Sequence, residues 1–264
     1  TRVIFCLGLI LAMVCSIFAL NGFAAGADPA VYNIAVDSCS THTAAVANGD
    51  LYVWGSNGRG QFPNSSATYS IEPVKVASDV AQASVSPNRT LVLYKNGRLY
   101  AYGQDPLSGA GPTAETVYAG VAQVSCAEDF ALLVTKKGAL LAWGANDYSQ
   151  LGTGDTQEKA VPTTVIESGV KKAVAGDGFA LALKEDGSLY GWGLNASNQL
   201  GYQNDAGEVP ETLSTPTLLL EGVQDIDAGG PYSCILKNDG TLWTCGMNDF
   251  QQLGLSSLET SAGL

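Results

Sequence analysis

Residues 143–152 read Trp-Gly-Ala-Asn-Asp-Tyr-Ser-Gln-Leu-Gly, and their pattern returns along the chain. Trp192-Gly193-Leu194-Asn195 with Gln199-Leu200-Gly201 repeats it, as does Asn248 with Gln252-Leu253-Gly254. Counting from an upstream turn glycine brings out five copies. The anchors are Gly49, Gly97, Gly138, Gly187 and Gly240, and six residues beyond each stands Gly55, Gly103, Gly144, Gly193 or Gly246. At eight residues come Asn57, Asp105, Asn146, Asn195 and Asn248, and at twelve Gln61, Gly109, Gln150, Gln199 and Gln252. At fourteen come Gly111, Gly152, Gly201 and Gly254, with Pro63 in the first copy. The internal spacing is fixed while the interval between copies varies, so a rigid unit alternates with a tolerant connection.

Each unit reads as short strands separated by turns. In the fourth copy, Phe179-Ala180-Leu181-Ala182-Leu183 and Ser188-Leu189-Tyr190-Gly191-Trp192-Gly193 are β-type runs flanking Asp186-Gly187, a hairpin signal. Another run precedes the hairpin, as in residues 121–125, and a Pro-led run follows, as at Pro73, Pro162 and Pro216. About four strands per 40 to 50 residues is the signature of a propeller blade, which buries its sheet faces only against neighbours. Helical repeats are excluded, because each copy carries glycines that would cost a helix about 1 kcal/mol apiece. The fold class is therefore all-β, a β-propeller of four-stranded blades. Trp54, Tyr102, Trp143 and Trp192 share one position, occupied by Cys245 in the fifth copy, and are expected to be buried between blades.

The Trp-Gly-x-Asn and Gln-Leu-Gly elements resemble the repeat of the regulator of chromosome condensation family, over residues 33–254. That resemblance implies a seven-bladed propeller, of which five repeats are visible. The expectation is an incomplete propeller, with a closed five-bladed ring as the alternative. Where family repeats often carry Gly-x-x-His, the final positions here are His42, Arg89, Phe130, Phe179 and Tyr232. With export, the resemblance extends to the propeller-type β-lactamase inhibitory proteins of soil bacteria, which block an enzyme with aromatic and acidic loop residues.

Ahead of the repeats, Arg2 precedes an uncharged apolar run, Val3 to Leu20, followed by Ala25-Gly26-Ala27. Residues 1–27 are expected to be a signal peptide and residues 28–264 the propeller domain, giving a secreted or cell-surface protein. An uncleaved membrane anchor is the alternative, and only it would make a membrane a partner. The formal net charge of -12 argues against nucleic acid and for a neutral or basic protein partner.

Chemistry is sparse. His42 is the single histidine and aligns with the start of a strand. No nucleophile elbow, phosphate loop or zinc-protease motif occurs, so no enzyme, metal or cofactor is expected. Asp186 and Asp239 precede turn glycines, where aspartate is favoured by the backbone. Four cysteines beyond residue 27, Cys39, Cys126, Cys234 and Cys245, are too few for a disulfide scaffold. A two-residue turn at Asp239-Gly240 would set Cys234 opposite Cys245 and permit one bridge.

Invariant positions are scaffold, so function is sought where the copies differ. Five residues after the Trp position stand Arg59, Leu107, Tyr148, Ser197 and Phe250, in a turn expected to face solvent. Tyr148 and Phe250 follow Asp147 and Asp249 and have the character of interface anchors. The other reading folds these rings back over the blade edge. A second variable region, residues 202–221, adds Asp205, Glu208 and Glu211. The function expected is a secreted protein-binding module using loops on one face. A cell-surface structural or adhesive domain of a longer protein is the alternative, and a nuclear exchange factor conflicts with export and charge.

Overall fold

The computed structural model describes residues 34–104 and 115–254. These fold as five antiparallel sheets, with no helix among the described residues. Blade 1 comprises β1 (Ile34–Ser38), β2 (His42–Ala47), β3 (Asp50–Ser56) and β4 (Tyr69–Ala77). Blade 2 comprises β5 (Val80–Ser86), β6 (Arg89–Tyr94), β7 (Arg98–Gly103) and β8 (Glu115–Ala119). Blade 3 comprises β9 (Val121–Cys126), β10 (Phe130–Thr135), β11 (Leu140–Gly144) and β12 (Lys159–Ile166). Blade 4 comprises β13 (Val170–Ala175), β14 (Phe179–Lys184), β15 (Leu189–Leu194) and β16 (Thr212–Leu220). Blade 5 has three described strands, β17 (Val223–Ala228), β18 (Tyr232–Lys237) and β19 (Leu242–Gly246). In every sheet the strands lie side by side in chain order.

The core is a series of layers between blades. Leu91, Leu93, Leu99 and Trp143 join blades 2 and 3, and Phe130, Leu132, Leu151 and Trp192 join blades 3 and 4. In each case the ring of one blade packs onto the blade before it. Trp192 is fully buried, and its indole Nε1 donates to the Gln150 carbonyl at 2.9 Å. Trp54 is only half-buried because no described blade precedes its own. In blade 5, Cys245 fills the Trp position with less bulk: its thiol and the Ser233 hydroxyl both reach the Gln199 carbonyl, at 3.4 and 2.7 Å.

Side chains also stitch each first strand to the next. In blades 2 to 5 the pairing of first and second strands slips by one residue. Such a slip re-aims neighbouring side chains. Gln82 bonds both the N–H and the carbonyl of Val124 in blade 3, and Gln123 does the same to Ala173 in blade 4. Lys172 completes the series as an ion pair with Asp225, at 2.7 Å. Asp37 of blade 1 accepts from Ser84 and from the Val85 N–H, both at 2.9 Å. Successive blades pack in this way from first to fifth. Among the described residues, no packing of that extent joins the fifth back to the first.

The hairpin turns correct one expectation. At Asn48-Gly49 the turn has two residues, both with positive φ, and Ala47 pairs with Asp50. At the other four hairpins three residues intervene. In blade 5 the Gly240 N–H bonds the Lys237 carbonyl, and the Lys237 N–H bonds that of Thr241. This is a type I turn closed by a left-handed glycine. The extra residue shifts the register, so Cys245 lies opposite Ser233 and Cys234 opposite Thr244. A shift of one residue sends side chains to opposite faces. Cys234 and Cys245 are accordingly free thiols on different faces, and the expected bridge is absent.

Two stability tests follow from these contacts. Gly193 has φ +93°, and a Cβ there would stand 2.5 Å from the Gly178 carbonyl, whereas Gly222, at φ +74°, has open space around it. Urea titration of Gly222→Ala should show a loss of about 1 kcal/mol, and Gly193→Ala a loss of about 3 kcal/mol or more. Burial raises the Asp37 carboxyl above its ordinary range, outweighing the hydrogen bonds from Val85, Ser84 and Ser38. A raised acid binds its proton more tightly when folded. Its contribution is therefore full below the unfolded value and lost as pH rises through the folded one. Thermal melts of Asp37→Asn should show a higher Tm than the parent at neutral pH, with the gain shrinking on acidification.

Candidate functional site

Antiparallel order brings the turns between first and second strands, and those between third and fourth, to one end of every blade. This end is the loop face, and the hairpins of second and third strands occupy the other. The two loops of one blade are joined by backbone bonds: the Ala145 N–H donates to the Asp129 carbonyl at 3.0 Å, and Leu194 to Gly178 at 2.8 Å. Gly144, Gly193 and Gly246 sit at this junction, each with positive φ and no room for a Cβ.

The loop leaving the third strand is built from the invariant residues. Asn146 is buried, its Oδ1 accepts from the Leu151 N–H at 2.9 Å, and its Nδ2 donates to the Asp155 carbonyl at 2.8 Å. Asn57, Asn195 and Asn248 receive the N–H groups of Phe62, Leu200 and Leu253 in the same way. The glutamine at twelve takes up the N–H of the variable residue itself. Gln61 Oε1 accepts from Arg59, Gln150 from Tyr148, Gln199 from Ser197 and Gln252 from Phe250, at 2.9 to 3.0 Å. Ser149, Asn198 and Gln251 bend the chain there with φ of 59°, 56° and 60°, and Gly60 does so in blade 1. A buried amide pair thus clamps the backbone under Arg59, Tyr148, Ser197 and Phe250.

Phe250 is 88% exposed and Tyr148 49%. Phe250 therefore does not fold back over its blade. Tyr148 leans instead toward the next blade, since its ring lies where a Cβ on Gly178 of blade 4 would meet it at 3.3 Å. Arg59 is exposed, and its Nη1 donates to Gln104 Oε1 of blade 2 at 2.6 Å. Asp147 and Asp249 are exposed beside the two rings. Leu107, the matching residue of the second copy, lies outside the described residues. Blade 4, with Ser197, separates Tyr148 from Phe250, so the structure places these residues in a row rather than in one cluster.

On the loop face Glu128, Asp147, Asp177 and Asp249 are exposed, as are Asp205 and Glu208 of the longer loop. The hairpin end carries both signs, with Lys95, Lys136, Lys137, Lys184 and Lys237 beside Asp50, Glu185, Asp186 and Asp239. Sequence reasoning missed the glutamine clamp. The signal for the clamp was present in the fixed separation of two between each variable residue and its glutamine.

Fold and site together define a repeat β-propeller that presents rigid loops on one face. Models of the regulator of chromosome condensation (RCC1) repeat match residues 137–183 and 186–236, and a second model of this repeat matches 170–199 and 223–252. The chain carries RCC1 repeats within residues 137–252, and its described blades have the fold of RCC1 propellers. No curated protein sequence matches it. Among solved structures, human WBSCR16 superposes with a TM-score of 0.71 at 23% identity, over 87% of this chain and 66% of that one. Yeast RCC1 (Prp20), solved with Kap60 bound, gives 0.70 at 19% identity, over 88% and 60%. Prp20p from Saccharomyces cerevisiae, described with its binding to Gsp1p and histones, gives 0.69 at 20% identity, over 84% and 59%. The chain thus spans about three fifths to two thirds of the length of these structures.

The clamp can be tested directly. Asn146→Ala leaves the buried Leu151 N–H unpaired, which should cost about 2 kcal/mol in denaturant titration. Limited chymotrypsin digestion should cut this variant after Tyr148 several-fold faster than the parent, while Asp147→Ala should leave the rate unchanged.

Proposed function

We propose that this chain is a non-enzymatic protein-binding module that uses its loop face and acts outside the cell. The observation that carries the reading is the exposure of the Phe250 ring on a backbone clamped from below by Gln252 and Asn248. A large ring held in water contributes little to the isolated fold. Supplied to a partner, it offers apolar area whose ordering cost has already been met by the scaffold. Tyr148 offers the same with a hydroxyl. The acidic residues around both favour a neutral or basic partner and speed its approach. Protein binding by yeast RCC1, which holds Kap60, and by Prp20p, which binds Gsp1p and histones, supports this use of the propeller. Export rests on the uncharged run Val3 to Leu20.

The test is binding kinetics against the partner recovered by pull-down from the host's extracellular medium. Tyr148→Ala and Phe250→Ala should each weaken binding, by about 2 kcal/mol at a hot spot, mainly through faster dissociation. Asp147→Asn and Asp249→Asn should instead slow association at low salt and have little effect at high salt. Unchanged dissociation in both ring variants, with folding intact, would move the contact to residues 202–221.

A further inference from the structure

The turn between β1 and β2 holds a constellation that protein binding does not use. Cys39 and His42 close the two-residue turn Ser40-Thr41, and the Cys39 N–H donates to the His42 carbonyl at 3.1 Å. Residues that close such a turn sit opposite one another, so their side chains emerge on the same side of the hairpin. Cys39 Sγ lies 3.4 Å from His42 Nδ1 and 3.5 Å from Thr41 Oγ1. The imidazole is buried and held from its far side, with Nε2 2.8 Å from the Thr90 hydroxyl of blade 2. A hydroxyl donates or accepts, so Thr90 satisfies Nε2 whether or not the ring is charged. The Phe62 ring stands against the imidazole at 6.1 Å. Cys39 is half-exposed, so solvent reaches the sulfur while the base beside it stays fixed.

The repeat itself separates this pair from the scaffold. Ser86 and Arg89, Ala127 and Phe130, Gly176 and Phe179, and Gly229 and Tyr232 occupy the same turn positions in the other blades. Only blade 1 has a thiol facing a base there. Burial alone would push the Cys39 thiol up, but the His42 side chain, the Thr41 hydroxyl and the backbone N–H groups of Thr41 and His42 lower it to about 7. Burial takes the other described thiols the opposite way, Cys126 to about 12, Cys245 to about 11, and Cys234 upward. Nearby, Arg89 on β6, Asp37 on β1 and Cys39 itself all act electrostatically on the Cys126 thiol of β9.

We propose that Cys39, activated by His42, is a site of covalent modification by low-molecular-weight disulfides. The thiol proton passes to His42 Nδ1. The thiolate attacks one sulfur of R–S–S–R, a Cys39–S–S–R bond forms as the old S–S bond breaks, and the departing R–S⁻ takes up the proton from the imidazolium. One disulfide is consumed and one is made, so the small disulfide is the only oxidant needed.

The experiment treats the full chain with 5,5′-dithiobis(2-nitrobenzoic acid) from pH 5 to 9, quenches with acid, and measures modification at each cysteine by peptide mass spectrometry. Cys39 should react ahead of Cys126, Cys234 and Cys245, with a half-maximal rate near pH 7. His42→Asn should move that midpoint upward and slow Cys39 several-fold at pH 7, because the fall in thiolate fraction outweighs the gain in intrinsic nucleophilicity. A Cys39 profile rising only near pH 9, or preferential modification of Cys234, would overturn the proposal, as would an unchanged midpoint in folded His42→Asn. Should that variant fail to fold, the parent's midpoint and the order of reaction decide alone.

Discussion

The fold depends on a backbone crossing that no side chain can occupy. Where each third strand ends, Gly193 and its counterparts adopt a left-handed conformation against the first turn of the same blade. The next residue then donates its N–H to a carbonyl of that turn, as Leu194 does to Gly178. This contact ties the two loops of the blade together and fixes the direction in which the chain leaves the strand. Everything on the loop face follows from it, including the paired turns, the asparagine that closes them and the glutamine that holds the displayed residue. It recurs in all five blades even where sequence elsewhere diverges, as at Gly246, whose neighbour is Cys245 rather than tryptophan.

Packing between blades is more tolerant. A fully buried indole in blade 4 and a thiol with a serine hydroxyl in blade 5 satisfy equivalent carbonyls, of Gln150 and Gln199. The stitches between first strands vary as widely, from a glutamine amide to a lysine–aspartate pair. What these solutions share is reach across the gap between blades.

That difference explains what was legible in the sequence. Positions governed by backbone sterics, such as Gly144 and Gly193, keep their identity, and their spacing alone identified the blade. Positions governed by reach do not, so Gln82, Gln123 and Lys172 carried no visible pattern. The Asp239-Gly240 dipeptide is compatible with a two-residue turn and with a three-residue turn closed by glycine, and only the second occurs there. One residue of difference moved Cys234 from facing Cys245 to the opposite side of the sheet. At the display positions the sequence revealed which residues vary, but not that a glutamine holds their backbone. Nor did His42 announce itself beside a thiol, because its partner lies across a turn rather than at a motif spacing.

The layering of one blade on the next also shapes how the fold resists solvent. Each described blade rests on its immediate neighbours, so cohesion is a sum over interfaces rather than the property of a single core. The middle blades are covered on both sides, and β14 is buried along nearly its whole length, whereas β18 alternates buried with partly buried positions and Leu242 on β19 stands half in water. Amide protons in β10 and β14 should therefore exchange more slowly than those of β18 and β19. The depth at which a strand lies between its neighbouring blades measures how long its hydrogen bonds endure.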